Sequence, residues 1–493
     1  MREQTTGPEA RSLGATRVVD VAVVGGGPAG LAAAVSAAEA GADVVLLDAA
    51  GQLGGQYWRH RDDAFHEPDG HGHHDWSVFL DLRDRLGAAS RTGRAEHRPW
   101  TSVWLAERDG DLFRLRTTPV LPAGGTTPAP GEVLARRVVL APGAYDRQLP
   151  VPGWDLPGVV AAGGAQALLK GHGVLTGRRV VVAGTGPFLL PVAAGLADAG
   201  ADVVALCEAA DPRGWTRRIG TALRQGAKLG QAAGYAARLA RHGVRLRTRT
   251  VVTEVLGDGR VTGVRLARTD ADGLVIGQET TVDADTVALG WGFTPQLELP
   301  LMLGVATAIG ADGSLVVRVD PAQRSSVPGL YVAGEATGVG GAVLAVAEGH
   351  IAGRAAAGAQ PDPARRRDVV RHRAFARAMH AVYPVPRRWQ SWVDGDTLVC
   401  RCEEVTASQL RAACRDLGAD DPRSARSLAR VGMGRCQGRI CGWPAAGLLA
   451  HLTDREITED DLLASSRRPL AAHVPLGTLA ALDRAAPNEE ATP

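Results

Sequence analysis

The sequence predicts an α/β fold with two dinucleotide-binding units and a small, mainly helical C-terminal domain. Three observations predict it: a strand–glycine turn–helix–strand run starting at Arg17, a second run of the same design starting at Arg179, and two close cysteine pairs beginning at Cys400. With 493 residues the chain can hold roughly two or three domains, each with its own core. Its 45% hydrophobic and 22% charged content is ordinary for a globular protein, and its net charge of +2 supplies no basic field for nucleic acid, which is excluded as a partner. Met1 to Arg17 is polar and lacks the apolar run of a signal peptide. Apolar stretches are broken short of the about 18 residues that a transmembrane segment needs. Six cysteines in so long a chain suit ligation rather than a disulfide framework, so the expected compartment is the cytoplasm.

In the first unit, Val18 to Val24 is an apolar strand that ends in Gly25-Gly26-Gly27-Pro28-Ala29-Gly30. An alanine-rich helix follows to Ala40, then a strand to Leu47 with Asp48 at its tip. Gly25 permits the tight turn, Gly27 lets the backbone approach a pyrophosphate, and Gly30 allows close packing of helix on strand. The phosphates then sit at the helix N-terminus beside Pro28 and Ala29, where unpaired N–H groups favour anions. Asp48 is placed to accept hydrogen bonds from ribose hydroxyls. Strand, helix, second strand and acidic tip fall in register, which makes this an adenine-nucleotide site rather than a bare glycine turn.

Three further segments turn that site toward flavin. Gly54-Gly55-Gln56 resembles the segment lining the flavin ring in glutathione-reductase-type proteins. The strand Arg136 to Leu140 with Ala141-Pro142-Gly143-Ala144 is similar to the one that closes the first half of that domain. Gly329-Leu330-Tyr331-Val332-Ala333-Gly334-Glu335-Ala336 resembles the second flavin fingerprint, in which an acidic residue meets the ribityl and pyrophosphate region. The usual residue there is Asp; Glu335 is one methylene longer. The resemblance implies a glutathione-reductase-type pair of dinucleotide domains, with FAD or another adenine nucleotide held by Gly25, Gly27, Pro28, Ala29, Gly30, Asp48, Gly55, Gln56, Ala141, Gly143, Gly334 and Glu335.

The second unit, Arg179 to Glu208, turns at Gly184-Thr185-Gly186-Pro187-Phe188-Leu189. Leu189 replaces the third glycine, and its bulk should hinder close helix approach, which weighs against NAD(P) and toward a retained structural domain. No Cys-x-x-Cys accompanies either turn, so disulfide reductase chemistry is not available. Cys207 reads as a buried core residue. The arginine-rich stretch Trp215 to Arg249 reads as a solvated amphipathic surface, and His66, His71, His73 and His74 as a polar loop rather than a metal site.

After Gly353 the composition shifts. Pro361, Pro363 and Arg365-Arg366-Arg367 suggest a boundary and an exposed basic helix, and Pro384 and Pro386 a further break. Then come Val399-Cys400-Arg401-Cys402-Glu403-Glu404-Val405 and Gly432-Met433-Gly434-Arg435-Cys436-Gln437-Gly438-Arg439-Ile440-Cys441-Gly442. Cys400, Cys402, Cys436 and Cys441 give four thiolates that one compact fold can gather, with glycines that let backbone N–H groups face the sulfurs. The ligand count permits either a [2Fe–2S] cluster or a zinc ion; redox cargo in the same chain favours iron–sulfur. Cys414 lies between the pairs and reads as core.

These cysteine segments resemble the bacterioferritin-associated-ferredoxin-like [2Fe–2S] module. Joined to the flavoprotein body, they resemble the α subunits of heteromeric FAD-dependent amine dehydrogenases, a family that includes the proline and hydroxyproline dehydrogenase α subunits and the corresponding subunits of opine oxidase and hydrogen cyanide synthase. The likeness runs on into Pro469 and Val474-Pro475-Leu476-Gly477. It implies that an FAD-containing, amine-oxidase-like β subunit oxidises an amine substrate of opine, proline, hydroxyproline, sarcosine or glycine type. The electrons would then enter this chain, which carries no catalytic acid or base of its own. It also admits an FMN at a subunit interface and a small ferredoxin-like subunit. Competing readings are a self-contained NAD(P)H:acceptor reductase and a non-catalytic electron-carrying scaffold; Leu189 speaks against the first, and the intact Gly25 unit with Gly54-Gly55-Gln56 against the second. The expected division is a discontinuous FAD domain (17–165 and 287–360), an NAD(P)-like domain (166–286), a linker (361–395), the cysteine domain (396–455) and a tail (456–493).

Overall fold

A computed structural model describes residues 17–63, 73–120, 131–223 and 225–485; His66 and His71 lie outside them. The first unit is built as its sequence dictates. Strand β1 (Val18–Val24) leads through the glycine turn into helix α1 (Pro28–Glu39) and on to β2 (Val44–Leu47). After α2 (Trp76–Arg91) come β3 (Ala95–Arg98), β4 (Thr101–Asp109), β5 (Leu112–Pro119) and β6 (Gly131–Leu140). The sheet order is β3-β2-β1-β6-β5-β4, with Leu330–Val332 also paired to β6. β1 runs parallel to β2 and β6, so the carboxyl ends of β1, β2, β6 and Leu330–Val332 meet at one edge. In open α/β sheets that edge is where ligands bind.

α1 is buried along nearly its whole length, against the sheet on one side and helix Ala342–Ala356 on the other. The two helices approach through glycine: a Cβ on Gly349 or Gly353 would lie 2.1 Å from the Ala29 or Ala33 carbonyl oxygen. This contact carries residues 342–356 back onto the first strand–turn–helix unit.

The second sheet is wholly parallel, in the order Leu246–Thr248, Asp202–Glu208, Arg179–Gly184, Thr286–Gly290, Val159–Ala161. Val159–Ala161 and residues 287–290 were expected in the first domain; they pair with the second sheet instead. The chain crosses between the units where Ala144–Asp146 runs antiparallel to Phe293–Pro295. An antiparallel ladder of Thr250–Gly257, Val261–Thr269 and Val275–Asp283 covers the second sheet.

Beyond it, the helix Pro363–Val382 starts where Asp362 accepts the Ala364 N–H and Pro363 takes the first turn. The C-terminal part is mainly helical, with one short pairing of Leu398–Cys400 against Val405–Thr406. Its helices Ala407–Leu417, Pro422–Ala429, Gly442–Leu452 and Glu459–Ser466 pack together, and its buried residues merge with the core of the second unit. Among the described residues no helix is long and apolar enough to cross a membrane.

Candidate flavin cavity and cysteine centre

Eleven of the twelve residues expected to hold the nucleotide line one cavity of about 2010 Å³ that extends from the β1–α1 turn to the C-terminal part. Gly30 is the exception and sits behind the turn: a Cβ there would lie 1.7 Å from the Gly25 carbonyl oxygen. Gly25 has φ +103° and would place a Cβ 2.3 Å from the Ala141 oxygen, so the turn closes only with glycine. No side chain caps α1 at Gly27. Its first-turn N–H groups therefore remain open to an anion.

Asp48 supplies the complementary end. Its Oδ1 accepts the Ala50 N–H at 3.2 Å, while its buried Oδ2 has no hydrogen-bond partner among the described residues. Burial lifts the Asp48 pKa to about 6 despite the backbone N–H groups that favour the anion. A buried acceptor without a donor is costly, and a ribose hydroxyl would satisfy it. The cradle fits an adenine nucleotide on these grounds. The pH dependence follows: hydroxyl donors favour the ionised carboxylate, so affinity for the nucleotide is expected to be full above about pH 6 and to fall progressively below it as Asp48 protonates. Equilibrium dialysis across pH 5 to 8 checks this, and Asp48→Asn should flatten the profile.

Glu335 is partly held by the backbone beside it. Its carboxylate accepts the N–H groups of Gly340 and Gly341 at 3.2 and 2.9 Å, and burial raises its pKa to about 7. It pins the turn that opens helix Ala342–Ala356 and also lines the cavity. Sequence reading missed Glu348 and Arg373. Glu348 accepts Gly334 N–H and Thr337 Oγ1, both at 3.0 Å, and is ion-paired with Arg373 of the following helix. The signal for that pair was a lone acid within a helix of mostly small and apolar residues.

In the second unit the helix starts at Leu189, two positions later in the motif than Pro28 does in the first. Leu189 is buried, and its bulk is accommodated by Gly290 on the adjoining strand, whose added Cβ would lie 3.1 Å from Leu189 Cδ2. Glu208 fills the turn: it accepts Gly186 N–H at 2.9 Å and Thr185 Oγ1 at 3.0 Å, and burial raises its pKa to about 7. Thr185 Oγ1 also donates to the Pro384 oxygen at 3.4 Å, so the segment after helix Pro363–Val382 leans over the turn. Cys207 is fully buried, and burial pushes its thiol up to about 12.

The four clustered cysteines come together from two loops. Cys441 acts on both Cys400 and Cys436, and Cys402 on Cys436, so the four thiols are electrostatic neighbours. The Cys441 thiol and backbone N–H groups lower the pKa values of Cys400 and Cys436, while Cys441 itself is raised. Gly432 and Glu403 N–H groups face Cys400; those of Gly438 and Ile440 face Cys436. Gly434 makes the approach possible, since a Cβ there would lie 2.2 Å from Cys402 Cβ. Among the described residues no group of three or more His, Cys, Asp or Glu side chains is placed to hold a metal ion. Four thiol donors, two of them faced by backbone N–H groups, have the donor chemistry of a sulfur-ligated metal or cluster site.

One guanidinium joins the two centres. Arg439 donates to Tyr145 Oη at 2.9 Å and to the Cys436 oxygen at 3.2 Å, and lies 2.7 Å from the buried Glu298. Tyr145 itself lines the cavity.

A nucleotide cradle at the carboxyl ends of the parallel strands of a mixed sheet, opening into one long cavity, is the arrangement of an FAD-dependent oxidoreductase. The model of the family described as pyridine nucleotide-disulphide oxidoreductase matches residues 19–350. An opine oxidase subunit of Rhizobium meliloti is 33% identical, over 94% of this chain and 98% of its own length. Hydrogen cyanide synthase subunit HcnB of Pseudomonas aeruginosa is 31% identical, over 88% and 93%. The crystal structure of L-proline dehydrogenase from P. horikoshii shares the fold, with a TM-score of 0.67 and 22% identity, over 94% of this chain and 79% of that one. The chain belongs to the pyridine nucleotide-disulphide oxidoreductase family, among the subunits of FAD-dependent amine oxidases and dehydrogenases.

Proposed function

We propose that this chain is the electron-transferring flavoprotein and iron–sulfur subunit of an amine dehydrogenase complex, whose opine-, proline-, sarcosine- or glycine-type substrate is oxidised on a partner FAD subunit. The observation that carries this reading is the linkage of four thiols, with backbone N–H groups turned toward them, to a nucleotide cavity through Arg439. Bound FAD and a [2Fe–2S] cluster would supply electron acceptance and one-electron transfer. The residues Gly25, Gly27, Pro28, Ala29, Asp48, Gly55, Gln56, Ala141, Gly143, Gly334 and Glu335 would hold the nucleotide, with Gly30 shaping the turn behind it. Cys400, Cys402, Cys436 and Cys441 would hold the cluster. An FMN at a subunit interface and a small ferredoxin-like subunit complete the proposed assembly, which would work in the cytoplasm.

Elemental and sulfide analysis of the purified chain tests the cluster: iron and acid-labile sulfide are expected in equal amounts. Stoichiometric zinc without iron would replace the relay with a structural metal.

The delayed helix at Leu189 and the occupation of the Gly186 N–H by Glu208 speak against a nicotinamide site. The isolated chain is therefore expected to resist rapid reduction by NADH or NADPH. Anaerobic stopped-flow mixing checks this, and bleaching of a flavin band within the mixing experiment would favour a self-contained reductase.

A further inference from the structure

Where the chain crosses between its two units, Ala144–Asp146 runs antiparallel to Phe293–Pro295 and Asp146 stands directly opposite Phe293. Such cross-strand partners carry their side chains on one face, with Cβ atoms about 4.5–5.5 Å apart. Both residues line the cavity. Asp146 is seated on Gly163, in the first turn of helix Ala162–His172. Its Oδ1 accepts the Gly163 N–H at 3.0 Å, and a Cβ on Gly163 would lie 2.5 Å from its Oδ2. Glycine is what lets the carboxylate settle there. Phe188, from the turn of the second unit, meets Phe293 edge-on with ring centroids 5.2 Å apart and also lines the cavity. Trp291 belongs to the same crossing, since its backbone N–H donates to the Arg147 oxygen at 3.3 Å. It lines the cavity too, is 1% exposed, and its Nε1 has no hydrogen-bond partner among the described residues.

Two complementary groups are missing from this wall. Burial raises the Asp146 pKa, opposed by the Gly163 N–H and its own, and no cation is among the groups that act on it. A largely buried carboxylate is stabilised by an ammonium, and aromatic rings beside it add the attraction of their quadrupoles for the same charge. One hydrogen bond from Gly163 leaves the carboxylate ample capacity to accept from such a ligand. A buried indole N–H without an acceptor is costly, and a carboxylate on the ligand would satisfy it. The volume suffices as well. Ligand pockets commonly measure roughly 300–1,000 Å³, and a cavity of about 2010 Å³ leaves space beyond a nucleotide.

We propose that Asp146, Phe188, Phe293 and Trp291 form a receptor for a small zwitterion of the amino-acid type. Its ammonium pairs with the Asp146 carboxylate beside the phenyl rings, and its carboxylate accepts from Trp291 Nε1. Asp146 acts as a fixed counter-charge: Gly163 commits its position, and no proton is moved. The inference goes beyond the proposed electron-transfer role and does not depend on what the cysteines hold.

Calorimetry on the full-length, cofactor-loaded chain tests this with L-proline and two probes of the same ring size. Pyrrolidine keeps only the ammonium, and cyclopentanecarboxylate only the carboxylate. Proline is expected to bind saturably, pyrrolidine about tenfold more weakly for want of one hydrogen bond, and cyclopentanecarboxylate not to saturate. Asp146→Asn keeps an acceptor for the Gly163 N–H but removes the charge. It should weaken proline and pyrrolidine about tenfold or more each, the loss of a charge-assisted contact. Trp291→Phe should weaken proline and leave pyrrolidine unchanged. The exposed Asp258→Asn should alter neither. Cyclopentanecarboxylate binding as tightly as pyrrolidine, or unchanged amine affinity in Asp146→Asn, would overturn the proposal. If a variant fails to fold, the three-probe comparison on the unsubstituted chain decides. Binding is read without turnover, so loss of the subunit reading would leave the receptor standing. A co-expressed complex that oxidises proline while the single chain binds neither amine would overturn this inference alone.

Discussion

Purified alone, the chain is expected to show no oxidation of opines, proline, hydroxyproline, sarcosine or glycine with an artificial electron acceptor. Co-expressed with an FAD-containing amine-oxidase-like subunit, it should form a stable hetero-oligomer that oxidises one of them. The expected contrast is all-or-none. The cavity presents a nucleotide cradle, and of the acids that line it Glu335 is committed to Gly340 and Gly341, Asp146 to Gly163 and Asp312 to Arg147. A stable interface between the two subunits should bury well over about 2,000 Å². Ile219 and Leu223, 60% and 66% exposed, and Leu229 on the neighbouring helix offer an apolar surface for it. The same exposure should make the solitary chain prone to self-association. Steady-state assays and analytical ultracentrifugation of the single and co-expressed proteins check both outcomes. Robust amine oxidation by the pure single chain would place the reacting groups within it and end the subunit reading.

The parts of the fold that were legible in the sequence are those whose cause is local. A glycine at Gly25 is demanded by its own φ and by the Ala141 carbonyl oxygen against it. Asp48 ends a strand whose length fixes its place. The cysteine loops announce themselves through glycines that let backbone reach sulfur. What was not legible depends on partners distant in the chain. Leu189 was read as an obstacle, but Gly290, about a hundred residues on, makes room for it. Glu335 matched a flavin fingerprint by position, yet its longer side chain folds back on the next glycine turn. The stretch Trp215 to Arg249 has the composition of a solvated surface, but Lys228 and Tyr235 within it line the cavity. Likewise, His73 and His74 belong to the cavity wall rather than to an idle polar loop. Amphipathic periodicity says that a face is covered or wet, not whether the water belongs to bulk solvent or to a binding cavity.

Replacing Cys436 by Ser is expected to abolish the iron–sulfur absorption bands while leaving bound nucleotide in place. Cys436 is electrostatically linked to both Cys402 and Cys441. Its pKa is lowered, first by Cys441 and also by the backbone N–H groups of Ile440 and Gly438, which favours the thiolate that ligation needs. A serine hydroxyl at that position stays protonated and is a poor soft-metal ligand, so the loss should be close to complete rather than graded. The nucleotide should survive because Cys436 is not among the residues lining the cavity, and the joining Arg439 binds the Cys436 backbone oxygen, which the substitution leaves in place. The substitution should also leave the Arg439–Glu298–Tyr145 contacts intact, which separates loss of the cluster from undocking of the domain. Visible absorption, iron content and released nucleotide, measured on one preparation, check the three expectations together. Unchanged iron content in Cys436→Ser would remove this cysteine from the ligand set, and loss of iron and nucleotide together would mean that the two centres fold as one unit.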